Sequence, residues 1–185
     1  KKRKRIKLPS KKAQRILQEV QPLLEGEQWE EALEMLSVME TDPKFTGTDI
    51  ARMLWYYGYI YFSQEKYESA IKVYKRLIKE PDADYKIQNQ ARYSLAQLSF
   101  IKEDYKNAIK YLLEWILEEE EPSAQGYSLL ATAYFQTADF KSAKISIETA
   151  IQMAEIKPYL TKLVKLYPDL YPARIWLANA VKNEN

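Results

Sequence analysis

The chain contains no cysteine and no histidine. Their absence removes the thiol nucleophile, the imidazole base, the usual kind of zinc site and any disulfide staple. It does not choose a compartment, because a chain without thiols is at home in a reducing or an oxidising one. Glycine is scarce, four in 185 residues, and none of it forms the Gly-rich loop that cradles phosphate. No run of about 18 apolar residues exists, so no segment is long and apolar enough to span a bilayer as a helix. Acid is missing from the first fifteen residues, which hold nine Lys or Arg. The rest of the chain then carries 28 − 9 = 19 basic against 26 acidic residues, a balance of −7. A basic arm therefore precedes an acidic body. The first residue is lysine, which suggests that an upstream segment such as a signal peptide or anchor was removed or not included.

Hydrophobic residues make up 46% and aromatics 13% of the chain, with four Trp and fifteen Tyr, which excludes a disordered polymer. Frequent Leu, Ala, Lys and Glu favour helix over sheet. The length suits one domain with a sizeable core.

One pattern recurs along the chain. Gly58 precedes Ala70, Ala96 precedes Ala108, and Ala131 precedes Ala143, each by twelve residues (70 − 58, 108 − 96, 143 − 131). A large aromatic stands three residues before each second alanine, namely Tyr67, Tyr105 and Phe140, and Trp29 stands so before Ala32. Two helices can approach closely where each presents a small residue, and the surrounding aromatics then fill the groove. The spacing predicts helix pairs near 10–40, 48–80, 86–119 and 123–155, with Pro43, Pro81 and Pro122 between them, where a helix must stop. The alanine intervals are 38 (70 − 32), 38 (108 − 70) and 35 (143 − 108), against about 34 in a standard repeat. Over residues 10–155 the chain resembles the tetratricopeptide repeat family through these small, aromatic and proline positions. The resemblance implies an all-α fold, a right-handed α-α superhelix of antiparallel helix pairs whose business is binding protein.

Local signals refine the picture. Residues 1–9 read as a flexible arm, dispensable for folding, and Ser10 as an N-cap. Lys11 and Lys12 in the first turn oppose the helix dipole, so this start is expected to fray. Pro22 predicts a kink or break near Gln18–Gln21, and Gly26 is expected to supply the turn into the second helix. Beyond Ile156 the period breaks. Residues 157–169 look like a second helix, 173–181 like another repeat's first helix, and the helix expected before Pro158 is missing. About 20 residues would restore a standard repeat there. A stretch of sequence omitted at this point explains the clean register on both sides better than a deletion. Residues 158–185 are accordingly partial repeats.

No catalytic constellation emerges. The carboxylates Glu118 to Glu121 could in principle supply an acid and a base, but a solvated helix end is the ordinary explanation of such a run. The chain is read as a non-enzyme with no cofactor, no metal site and no small-molecule substrate. The binding candidates are aromatic. The segment 53–62, MLWYYGYIYF, is hydrophobic all round, which a helix packed on one side does not need. Tyr57, Gly58 and Tyr61 form the packing face, leaving Trp55, Tyr59 and Phe62 as a second stripe on the concave side that the resemblance implies. Phe100 and Phe135 hold the place of Phe62 in the next two copies. These rings either fill space between helices or, with Tyr93, Gln97 and Thr132, grip an extended or helical peptide, since rigid aromatics bury large area at low entropic cost. Some tetratricopeptide proteins clamp the carboxylate end of a chaperone tail with Lys and Asn of first helices. The matching places here hold Trp55 and Tyr59, Tyr93 and Gln97, Ser128 and Thr132, none of them basic, so that clamp is disfavoured.

Residues 4–33 and 157–169 further resemble exported tetratricopeptide proteins that accompany bacterial TonB energy-transduction systems. That resemblance implies a periplasmic, non-enzymatic accessory to outer-membrane uptake that contacts a TonB-system component, its basic arm merely following a signal peptide. The alternative is a cytosolic or nuclear adaptor whose residues 1–12 contact nucleic acid, anionic membrane or the import machinery. The acidic body weighs against nucleic acid.

Overall fold

The computed structural model describes residues 8–166 apart from Thr46, with side chains as far as residue 154. The arm residues 1–7 and the segment 173–181 lie outside the described residues. Among the described residues there are eight helices and no strand: α1 (Lys11–Glu25), α2 (Trp29–Thr41), α3 (Thr48–Ser63), α4 (Tyr67–Leu77), α5 (Tyr85–Ile101), α6 (Tyr105–Glu118), α7 (Ala124–Gln136) and α8 (Phe140–Leu166). The chain divides into two compact units, residues 1–98 and 99–185. In the first, α1 packs on α2, α2 on α3 and α3 on α4; in the second, α6 packs on α7 and α7 on α8.

The small residues sit where helices touch. Ala32, Ala70, Ala96 and Ala108 are fully buried, and Ala131 and Ala143 nearly so. Gly58 lies against the ring of Tyr74, with no room for a β-carbon. A second close fit had no counterpart in the sequence pattern. Trp115 of α6 is buried over Gly126 of α7, where a β-carbon would collide with the indole. Leu77, 115 − 77 = 38 residues earlier, holds the corresponding place with a smaller side chain, so the larger indole is accommodated by removing a side chain opposite it.

The turns inside the pairs share one geometry. Glu27, Glu65, Glu103 and Ala138 all have positive φ, between 54° and 61°, and they recur at 38 (65 − 27), 38 (103 − 65) and 35 (138 − 103) residues, the alanine intervals again. The residue after each donates its N–H to a carbonyl five positions back: Gln28 to Leu23, Lys66 to Tyr61 and Asp104 to Ser99 at 2.8 Å, and Asp139 to Tyr134 at 2.9 Å. The left-handed residue itself bonds three positions back, at 2.9–3.2 Å. This is the Schellman closure of a helix end, with Glu or Ala where glycine is usual. Gly26, expected to make the first turn, has φ −88° and ψ 4°. The left-handed residue is its neighbour Glu27.

Three further expectations are corrected. Pro22 does not break α1, which runs unbroken from Lys11 to Glu25. The carbonyl it leaves without a donor belongs to exposed Gln18, where solvent can replace the lost bond. The helix start does not fray: the Ala13 N–H donates to Ser10 Oγ at 3.2 Å and the Ser10 N–H to Asp49 at 2.7 Å. Lys12 donates to Asp42 at 2.7 Å and its Nζ lies 4.8 Å over the Phe45 ring, so a charge that opposes the dipole is held by other partners. Finally, α8 continues as one helix through Pro158 to Leu166, whereas the pair was expected to end near residue 155. The carbonyl left by that proline belongs to exposed Ala154.

Candidate functional site

The aromatic stripe is built on α3, and α3 is held at its start by the loop between α4 and α5. Gly47 has φ +39° and approaches the Asp82 side chain too closely for any β-carbon. The Thr48 hydroxyl donates to the Asp82 carbonyl at 3.2 Å. Further along, Met53, Leu54, Tyr57, Gly58 and Ile60 are buried. Burial pushes the Tyr57 phenol up to about 12, helped by Glu40. Burial likewise pushes the Tyr74 phenol up to about 12, against a hydrogen bond with Ser94 that lowers it.

With those faces committed, Trp55 remains half-buried and Tyr59 is 40% exposed. Their rings stack nearly parallel, centroids 6.0 Å apart at 10°. The Tyr56 ring meets Trp55 edge-on at 5.2 Å and fixes the indole's orientation. Phe62, one turn on, is half-buried and pairs edge-to-face with Tyr67 at 6.1 Å. It thus packs over the turn of its own pair. On α5, Tyr93 and Gln97 are half-buried, and burial raises the Tyr93 phenol.

In the second unit, Phe100 repeats the turn packing against Tyr105 at 5.4 Å, and Phe135 against Phe140 at 5.4 Å. Phe135 nevertheless stays 61% exposed. Thr132 is exposed, but its hydroxyl donates back to the Ser128 carbonyl at 3.0 Å. Of the eight candidates, Trp55 and Tyr59 are brought into direct contact as a pair, whereas the three phenylalanines each engage the aromatic that opens the next helix.

Residues 52–83 match a tetratricopeptide repeat family model, and residues 124–157 match a second. Over these two stretches the chain is built as tetratricopeptide repeats. The first matched repeat is the α3–α4 pair that bears Trp55 and Tyr59, and the second is the α7–α8 pair. Neither match is to a catalytic family. No curated protein matches the chain.

Two features of these repeats were missed in the sequence. Arg52 precedes Trp55 by three residues and so extends the stripe by one turn; its Nε is buried and has no hydrogen-bond partner among the described residues. The spacing 52, 55, 59, 62 would have revealed it had polar residues been admitted to the stripe. The other is a partition of charge. The first helices α3, α5 and α7 carry a single carboxylate between them, Asp49, and it is buried against the Ser10 N–H. The second helices hold many, four in α2 alone. Exposed Lys72, Lys75 and Arg76 line one face of α4, with exposed Lys79 in the turn just beyond its end, and Arg76 bridges to Glu40 at 2.8 Å.

Proposed function

We propose that this chain is a non-enzymatic protein-interaction scaffold whose first unit captures a peptide or helix on the α3 face carrying Trp55 and Tyr59. The observation that carries this reading is the stacked, outward-facing Trp55–Tyr59 pair on a helix whose other faces are already packed. Two large rings left at a surface act as anchors, and hot spots concentrate in such residues. The repeat matches support the same role at the level of the family. A Trp55→Ala, Tyr59→Ala double variant is expected to keep its fold, because neither ring fills the core, and to lose partner capture from an extract of the source organism. Retention of every partner would place the binding surface elsewhere.

The finer proposal is that the scaffold is a periplasmic accessory of a TonB energy-transduction system for outer-membrane uptake. Its support is the resemblance of residues 4–33 and 157–169 to exported proteins of that kind. Direct capture of a purified periplasmic TonB-system component, abolished in the double variant, is the expected result. Binding of duplex DNA through the nine bases of the first fifteen residues would instead favour the cytosolic or nuclear adaptor.

A further inference from the structure

Four cations of the first unit stand in one row. Lys72, Lys75, Arg76 and Lys79 follow one another by three, one and three residues, which sets them on one side of α4 and of the turn that ends it. The row covers 79 − 72 = 7 residues, about 10 Å at the helical rise. The packed side of α4 is elsewhere, on Ala70, Tyr74 and Leu77. All four basic side chains are exposed, and with Glu80 they surround an open hollow of about 440 Å³. Arg76 is held by Glu40 of α2 at 2.8 Å. Lys72, Lys75 and Lys79 have no carboxylate partner among the described residues.

Neither folding nor capping accounts for the row. At the matching places, 72 − 34 = 38 residues earlier, α2 carries Glu34, Ser37, Val38 and Thr41, and α6 and α8 keep one base between them, Lys110. The repeat therefore folds without cations there. Cations near a helix C-terminus can also answer its last carbonyls, but here Gln88 does so, its Nε2 donating to the Ile78 carbonyl at 3.3 Å and the Glu80 carbonyl at 2.8 Å. Three lysine charges are left to solvent or to a ligand.

The surroundings decide the shape of that ligand. Through the Arg76–Glu40 pair α2 borders the row, and it presents exposed Glu30, Glu31 and Glu34 as well. A bilayer or a duplex is broad and uniformly anionic, so it would press phosphates against those carboxylates while touching the lysines. A narrow acidic chain laid along α4 meets only the row, and at physiological salt charges more than about 8 Å aside are largely screened. A small free anion gains one weak exposed contact, whereas several carboxylates on one chain engage several lysines at once.

We infer that the row Lys72, Lys75, Arg76 and Lys79 is a docking surface for an acidic peptide segment of a partner protein, a second site apart from the aromatic pair on α3.

The test is a proton–nitrogen NMR titration of the full chain with a blocked peptide of about eight residues alternating Glu and Ser, long enough to overrun the row, and with the matching peptide of Gln and Ser. The acidic peptide is expected to shift the amides of residues 72–80 saturably and the neutral one to leave them in place. Lys72→Gln, Lys75→Gln and Lys79→Gln combined in one chain should weaken this binding about tenfold or more. The triple variant should keep the parent's circular dichroism and thermal midpoint, since all three side chains are exposed and unpaired. Shifts confined to residues 1–15 would assign the acidic ligand to the basic arm and overturn the proposal. Equal shifts from the neutral peptide, or an affinity unchanged in the triple variant, would overturn it too. Vesicles of phosphatidylglycerol, or a DNA duplex of about ten base pairs, shifting residues 72–80 at lower concentration than the peptide would replace it by membrane or nucleic acid. Shifts of the same amides with rising protein concentration, lost in the triple variant and without response to the acidic peptide, would make the row an interface between copies and refute the peptide.

Discussion

Moving one glycine by one residue should stabilise the first helix pair. At the end of α1, Gly26 sits at φ −88°, ψ 4°, which any residue adopts, while Glu27 sits at φ 54°. A left-handed conformation costs an L-residue roughly 1–2 kcal/mol, part of which glycine returns through its larger unfolded-state entropy, about 0.5–1 kcal/mol. Glu27→Gly should therefore gain about 0.5–1 kcal/mol. Gly26→Ala should add about 0.4–1 kcal/mol by restricting the unfolded chain. Its new β-carbon would meet Gln28 Oε1 and the Pro22 carbonyl at 3.4 Å, an ordinary contact. The double variant should gain about 1–2 kcal/mol, somewhat less than additive for neighbours. Urea denaturation followed by circular dichroism, with an unchanged m-value, measures it. A double variant no more stable than the parent, or a destabilising Gly26→Ala, would refute the assignment of the left-handed residue to Glu27.

Gly126→Ala should cost about 1–3 kcal/mol by overpacking Trp115. In a Trp115→Leu background that cost should vanish, and equal costs in the two backgrounds would separate the residues energetically. Ala108→Leu should lose a similar amount, about 1–3 kcal/mol, because Ala108 is fully buried; unchanged thermal stability would mean the repeat register is wrong. Alkaline pH should weaken the fold. The Tyr74 phenol titrates near 12 when folded against 10 when unfolded, so its contribution is intact below 10 and lost as pH rises toward 12, a total of roughly 2–3 kcal/mol. Tyr74→Phe should remove that share of the loss in urea midpoints measured across that range, leaving the share of Tyr57, whose phenol is also pushed up to about 12; an equally steep loss would refute the assignment to Tyr74.

The helices were legible because their signal is periodic. Gly58, Ala70, Ala96, Ala108, Ala131 and Ala143 mark helix contacts by size alone, and all proved buried. The turns were less so. Glycine is the usual sign of a left-handed residue, and here Glu27, Glu65 and Glu103 take that conformation without it, because the Schellman bonds and the packed helices on either side outweigh the local cost. Pro22 misled for a related reason. A proline breaks a helix most surely when the orphaned carbonyl is buried, and burial is not written at the proline itself. Of the candidate site, the aromatic stripe could be read from the 55, 59, 62 spacing. The stacking of Trp55 on Tyr59, and the diversion of Phe62 onto Tyr67, depend on rotamers set by neighbours distant in sequence.

The four identical turns also have a mechanical meaning. The distance from each left-handed residue to its alanine is fixed at five residues (32 − 27, 70 − 65, 108 − 103, 143 − 138), while the interval between copies drifts from 38 to 35. Each hairpin is thus a closed link, and the slack lies between links. Pulled from its ends, a chain bound mainly neighbour to neighbour gives way link by link. Each rupture would release 35 to 38 residues, about 120–130 Å of extended chain, so tension would be met by a staircase of nearly equal steps.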